Sequence, residues 1–232
     1  VYFPEEIVHA AGALPFKVRG ALSNLLRQPV TRAGFVAASA GNHGLGVAWA
    51  AQASERRERV TVFVPESAPE AKIGKLRQYR IDLRLAGQTF DDAERMAREF
   101  ETETGARYIH AYDDPLTAAG QGTMAIEISE ALGAVGTLVT PVGGGGLISG
   151  NAAWFKERHP GVRIVAVQPD ASPALSESIR RGQALLEYAA GPTLADGLQT
   201  HGAPLIVLSA LAGSATLALV GGRRFAVARA TA

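Results

Sequence analysis

The sequence predicts an α/β protein with two lobes, in which strands of open, parallel sheets alternate with helices on both faces. Three observations carry this prediction. Apolar runs of strand length recur along the chain and are separated by helix-forming stretches, the alternation that crossover connections produce. Two of the runs feed glycine-rich turns, Ser39-Ala40-Gly41-Asn42-His43-Gly44-Leu45-Gly46 and Gly143-Gly144-Gly145-Gly146, as strands do at the ligand-binding ends of parallel sheets. A hydrophobic content of 47% with 26 glycines in 232 residues provides for a sizeable core and excludes a disordered chain.

In chain order, Val1-Tyr2-Phe3 reads as a strand end, and a loop with Pro4 and Gly12 follows. Phe16-Lys17-Val18-Arg19-Gly20-Ala21 opens a helix that runs to Arg27 and stops before Pro29, because proline disfavours helical backbone in its predecessor. Phe35–Ala38 is a strand, Ser39–Gly46 a turn and Val47–Ser54 a helix. Val60–Val64 is a strand ended by Pro65, and Pro69 stands near the start of a helix reaching Tyr79, where a missing N–H costs nothing. Ile81–Leu85 is a strand, Asp91–Glu103 an amphipathic helix and Tyr108-Ile109 a brief strand. Asp114-Pro115 opens a helix towards Leu132. The run Val135–Val142 leads into the four glycines, with helix Asn151–Arg158 beyond them. Val162–Val167 is a strand, Ala174–Arg181 a helix, Pro192–Leu198 a loop and Thr216–Val220 a core strand. The smaller lobe is expected over 34–118, inserted into a larger lobe built from 1–33 and 119–232.

Composition excludes several functions. With 23 basic and 22 acidic side chains, no global field draws in nucleic acid or an anionic membrane. Without cysteine there is no disulfide, thiolate metal site or cysteine nucleophile. The chain opens on no signal segment, and a cytoplasmic location is expected. Residues 202–222 carry no charge, but Pro204, Ser209, Gly213 and Ser214 break the stretch into a buried helix around Leu205–Leu211, a turn and a strand rather than a membrane span. The scattered histidines lack metal spacing, so no metal site is expected.

The four glycines carry the first functional signal. They strip every side chain from a turn, so backbone N–H groups can converge on one bound group, and a helix start behind them adds more donors. Phosphate is the natural occupant. A dinucleotide-binding turn is one reading, with Gly144, Gly146 and a more distant Asp170, but Ser149 stands where a third glycine belongs and Ser39–Gly46 has no role in it. A nucleotide P-loop needs Gly-Lys-Ser/Thr, which neither turn has.

A second reading uses every segment. Phe16-Lys17-Val18-Arg19-Gly20-Ala21, Ser39-Ala40-Gly41-Asn42-His43-Gly44, Ala119-Gly120-Gln121-Gly122-Thr123, Val142-Gly143-Gly144-Gly145-Gly146-Leu147 and Ala195-Asp196-Gly197-Leu198 together resemble the β-family (fold-type II) pyridoxal-phosphate enzymes, and within them the serine/threonine dehydratases. The resemblance implies a fold like that of the tryptophan synthase β-subunit, with pyridoxal 5'-phosphate as cofactor. It implies that Lys17 holds the cofactor and removes the substrate Cα proton, and that Phe16 packs near the cofactor ring. Asn42 would hydrogen-bond the ring hydroxyl oxygen, and Gly143, Gly144, Gly145, Gly146 and Leu147 would take the phosphate. Ser39, with Gly41, Asn42, His43 and Gly44, would bind the substrate carboxylate; His43 also reads as a brace for the loop.

The implied reaction is β-elimination from threonine or serine to a 2-oxo acid and ammonia. Related racemases place a serine after the position of Ser39; here it is Ala40, whose methyl group carries no proton. β-Replacement, threonine synthesis and racemisation are the neighbouring alternatives. Leu14-Pro15 before Phe16, Leu45 for a common glutamine and Val220 for a serine facing the ring nitrogen depart from the family pattern. So does the absence of the family's N-terminal segment and of a long region after Asp196-Gly197. These departures keep a shortened, catalytically silent cofactor-binding protein in view. Gln168 and Ser172 stand where some members have acidic ligands, so no divalent-cation site is expected there, and with no regulatory segment following, neither is feedback control. The expected partner is a small amino acid, with no nucleic acid or membrane, and homodimer formation is left open.

Overall fold

The computed structural model describes residues 16–29, 31–54, 60–185, 187–198, 215–221 and 224–229. The expected strand end at Val1–Phe3, the loop with Pro4 and Gly12, Leu14-Pro15 and the expected helix Leu205–Leu211 with its turn lie outside them. Contacts divide the chain into two compact units, Val1–Ala111 and Tyr112–Ala232.

The first unit contains helix α1 (Lys17–Arg27), strand β1 (Phe35–Ala38), α2 (Asn42–Ala53), β2 (Val60–Val64), α3 (Glu70–Leu76), β3 (Asp82–Leu85), α4 (Phe90–Thr104) and β4 (Arg107–Tyr108). Its sheet runs β3-β2-β1-β4 and every pairing is parallel, with Phe35 opposite Val60 and Arg107. β1 and β2 are buried at every residue, Thr61 included, which is why both read as mainly apolar runs rather than alternating ones. Helix α4 is bounded by local chemistry. Thr89 and Asp92 form a capping box at its start, and Gly105 at φ 75° ends it in the left-handed region that glycine tolerates.

The second unit contains α5 (Pro115–Leu132), β5 (Thr137–Pro141), α6 (Gly146–Arg158), β6 (Arg163–Pro169), α7 (Ala174–Arg181), a 3₁₀ turn (Asp196–Leu198), β7 (Ala215–Gly221) and β8 (Arg224–Arg229). Its sheet runs β5-β6-β7-β8, the first three strands parallel and β8 antiparallel to β7. Asp114 caps α5 by accepting the Thr117 N–H at 2.7 Å, with Pro115 at the first helical position. Helices α5 and α6 meet backbone to backbone: a Cβ on Gly150 would lie 1.9 Å from Ala118 O, and one on Gly122 would lie 2.7 Å from Gly150 O.

The expected α/β class and parallel pairing match every strand but β8, which the sequence reading does not include and which runs antiparallel to β7. Two helices start earlier than expected. α2 begins at Asn42, not Val47, and α6 at Gly146, not Asn151. Gly44 and Gly46 are therefore helical residues. A Cβ on Gly44 would sit 2.1 Å from Ser39 O, and one on Gly46 would sit 3.0 Å from Val18 N, so these glycines allow close approach rather than a turn. The expected lobe boundaries differ from the contact division, in which α1 packs on α2 within the first unit. No helix among the described residues is long and apolar enough to cross a membrane.

Candidate active site

In the first unit the candidate residues collect at the start of α1 and the start of α2, and the segment after β4 meets both. Gly46 lets α2 press against the first residues of α1, and this contact fixes Lys17 at the helix head. Lys17 is half-buried, and its Nζ donates to Ala111 O at 2.7 Å. The same nitrogen stands 5.6 Å from the centre of the Phe16 ring, itself 36% exposed. Burial lowers the Lys17 pKa from 10.5 to about 8, because the charged form loses hydration. At pH 7 roughly a tenth of the amine is neutral, against about one part in three thousand for an ordinary lysine.

At the carboxyl end of β1, Ser39 donates its N–H to Phe63 O at 3.0 Å and its Oγ accepts the Gly41 N–H at 3.1 Å. Gly41 is the N-cap of α2, and the first intrahelical bond runs from Leu45 N–H to Gly41 O at 3.1 Å. The N–H groups of Asn42, His43 and Gly44 thus have no acceptor inside the helix, as at any helix start. The Asn42 side chain is exposed at this end. His43 is buried (5% exposed), and its Nε2 lies 2.9 Å from Ile109 O. A carbonyl only accepts, so Nε2 carries the hydrogen. Burial first, and then the charge of Lys17, push the His43 pKa down to about 3, so its ring is neutral at physiological pH.

In the second unit the glycine loop joins β5 to α6. Gly145, the N-cap of α6, has φ 86°, which only glycine adopts without strain. Its carbonyl accepts from Ser149 N–H at 2.9 Å and from Ser149 Oγ at 2.7 Å, so the N–H groups of Gly146, Leu147 and Ile148 have no acceptor within the helix. The loop tolerates no side chains. A Cβ on Gly144 would fall 2.2 Å from Cγ of Tyr112, one on Gly146 2.8 Å from Tyr112 O, and one on Gly143 3.1 Å from Cα of Leu198. The strand end before the loop is tied down as well: Val142 N–H donates to Val167 O at 2.8 Å, and buried Gln168 donates to Val142 O at 3.4 Å. The Gln168 Oε1 accepts the Ser176 N–H at 3.2 Å, so the side chain links strand to helix rather than addressing a cation.

The structure therefore brings together Phe16, Lys17, Ser39, Gly41, Asn42, His43 and Gly44 in one unit, and Gly143, Gly144, Gly145, Gly146 and Leu147 in the other. Sequence reasoning gave no role to Ala111, whose carbonyl holds the lysine, or to Tyr112, whose ring lies on Gly144. The one available signal was an aromatic residue two positions before the Asp114 cap. His110 faces Tyr108 edge-on, and His159 packs with Trp154 and Phe155, which gives both a place in aromatic clusters. Among the described residues no group of three or more His, Asp or Glu could hold a metal ion.

Comparison with known proteins adds chemistry to this geometry. The family described as "Pyridoxal-phosphate dependent enzyme" matches residues 6–224. An L-threonine ammonia-lyase of Geobacter sulfurreducens is 40% identical over 200 residues, covering 85% of this chain and 48% of its own. The solved structure of the processed form of threonine deaminase isoform 2 from Solanum lycopersicum superposes with a TM-score of 0.82 at 32% identity, over 90% of this chain and 61% of that one. Maize serine racemase superposes with a TM-score of 0.79 at 28% identity, over 90% and 63%. The chain spans about half the length of the curated relatives it matches.

Proposed function

Since the chain belongs to the pyridoxal-phosphate dependent enzyme family, we propose that it uses this cofactor for β-elimination on threonine or serine, releasing a 2-oxo acid and ammonia. The residues fit the cofactor on two observations. Gly143, Gly144 and Gly146 leave bare backbone beside the N–H groups of Gly146, Leu147 and Ile148, which have no acceptor within α6, and this suits a phosphate. A buried amine of lowered pKa, Lys17, suits an aldehyde.

When bound, the cofactor supplies an electron-withdrawing conjugated ring that stabilises negative charge at the substrate Cα. Lys17 would hold the cofactor and move the Cα proton, since both tasks need the lone pair of a neutral Nζ. The Gly143–Gly146 backbone with Leu147 would take the phosphate, Asn42 the ring hydroxyl oxygen, and Phe16 a ring edge. Ser39 Oγ accepts from Gly41 and so keeps its own hydrogen for a substrate carboxylate. The N–H groups of Asn42, His43 and Gly44 would join it at the start of α2. Ala40 offers no second proton, which favours elimination over the racemisation in the maize protein's name. This reading brings Lys17 and the glycine loop to one cofactor. It keeps 1–33 with 119–232 as the larger lobe, leaves homodimer formation to direct measurement, and places the protein in the cytoplasm, where a chain without cysteine has no disulfide to lose.

The observation that carries the proposal is the lysine itself, held at the helix head with its pKa lowered to about 8. Purified chain mixed with pyridoxal 5'-phosphate is expected to gain a visible absorption band absent from Lys17→Ala, and to convert threonine or serine to 2-oxo acid. A band without turnover of either would favour the silent binding protein, the second reading, to which apolar Leu45 in the first turn of α2, in place of a common glutamine, lends weight. No band at all would overturn both.

A further inference from the structure

Strand β4 stops at Tyr108, and the next bond along that edge is Ile109 N–H to Val36 O at 2.8 Å. A continuing parallel ladder would offer Ile109 O another backbone N–H. This residue is fully buried (0% exposed), and its carbonyl meets the His43 ring instead, at 2.9 Å. Further along the same short segment, Ala111 O receives Lys17 Nζ at 2.7 Å. The carbonyls of 109 and 111 thus hold the histidine and the lysine, with only His110 between them along the chain.

We propose that His43 is a positioning residue for Lys17: its Nε2–H replaces the missing ladder donor at Ile109 O and so holds Ala111 O where it receives the amine. The ring has to be neutral to do this well. A second hydrogen, on Nδ1, would place positive charge beside Lys17, and Lys17 and His110 both act against that charge, as does burial. The low pKa of the buried ring keeps it neutral over the whole range in which Lys17 titrates. This assignment goes beyond substrate binding by the His43 backbone, and only its catalytic importance rests on the proposed function.

The test is trace acetylation of the cofactor-free 232-residue chain across pH 6–11, read residue by residue by mass spectrometry. Lys72, Lys75 and Lys156, the remaining lysines, serve as internal references. Wild type is expected to show a Lys17 midpoint near 8. His43→Gln, which retains an N–H donor, should stay within about 0.5 unit of it, while His43→Phe, which has none, should move the midpoint up by about 1 unit or more with the reference lysines unchanged. Equal midpoints in wild type and His43→Phe, or equal shifts in both variants, would overturn the proposal. Should His43→Phe fail to fold, the ¹⁵N spectrum of the wild-type histidine ring decides. Hydrogen on Nε2 at pH 7 supports the assignment; hydrogen on Nδ1 alone refutes it. Neither measurement involves the cofactor, so a wild-type chain that fails to bind pyridoxal 5'-phosphate would sink the proposed function and leave this assignment standing.

Discussion

Replacing Lys17 with methionine should make the cofactor-free protein more stable. In the folded chain the amine releases its proton at about 8, against 10.5 for an ordinary lysine. A shift of that size corresponds to about 3 kcal/mol of differential cost for the charged form. Methionine keeps most of the length and apolar stem but loses the bond to Ala111 O, worth about 1 kcal/mol. The net expectation at pH 7 is a gain of about 2 kcal/mol. The sign also fixes the pH dependence. Below pH 8 both folded and unfolded chains hold the proton, and the full cost of burying the charge is present. Between 8 and 10.5 the unfolded chain binds more protons, so wild-type stability rises with pH and approaches that of the variant. Urea unfolding at pH 7 and pH 10, in a Trp154→Phe background so that Trp49 reports the first unit, measures both effects. A Lys17→Met protein that is less stable than wild type at pH 7, or a difference between them that does not shrink at pH 10, would refute the reasoning.

Two further predictions concern glycines. Gly44→Ala would place a methyl group 2.1 Å from Ser39 O, and because the obstacle is backbone it should cost about 2–4 kcal/mol in urea unfolding. The control is Gly74→Ala in α3, where nothing lies within 4 Å; relief of the helix-interior glycine should stabilise by roughly 0.5–1 kcal/mol. Gly144→Ala meets the Tyr112 ring rather than backbone, so it should cost about 1–3 kcal/mol alone. Adding Tyr112→Ala should recover part of that loss, and a double-mutant cycle with no coupling would show that the ring does not set the requirement for glycine.

Much of the fold was legible because its strands are buried on both faces. Phe35–Ala38 is all-apolar and Val60–Val64 is apolar but for Thr61, unalternating runs that no amphipathic helix would present. Asp114-Pro115 announced α5 through capping chemistry that acts within a few residues. Glycine was the source of error. In Asn42–Gly46 and Gly146–Gly150 it reads as turn, yet there it admits a neighbouring backbone, and at Gly46, Gly146 and Gly150 that neighbour comes from elsewhere in the sequence. Strand β8 escaped notice although Gly221-Gly222 stands between two apolar runs, a hairpin signal. The residues around the candidate site were named from motifs. What supports them was not, because Lys17 and Ala111 are 94 positions apart and no local pattern pairs them. The same holds for Tyr112 over Gly144 and for His43 against Ile109.

The central claim, that one amine and one glycine loop serve the same cofactor, is tested most directly by trapping. The chain is incubated with equimolar pyridoxal 5'-phosphate, reduced with borohydride, digested and mapped by mass spectrometry. Of its four lysines, Lys17, Lys72, Lys75 and Lys156, only Lys17 should carry the phosphopyridoxyl group, at close to one per chain, and the yield should fall at least tenfold in Gly144→Ala. Label on Lys72, Lys75 or Lys156 in place of Lys17, or Lys17 labelling indifferent to the glycine loop, would contradict the account.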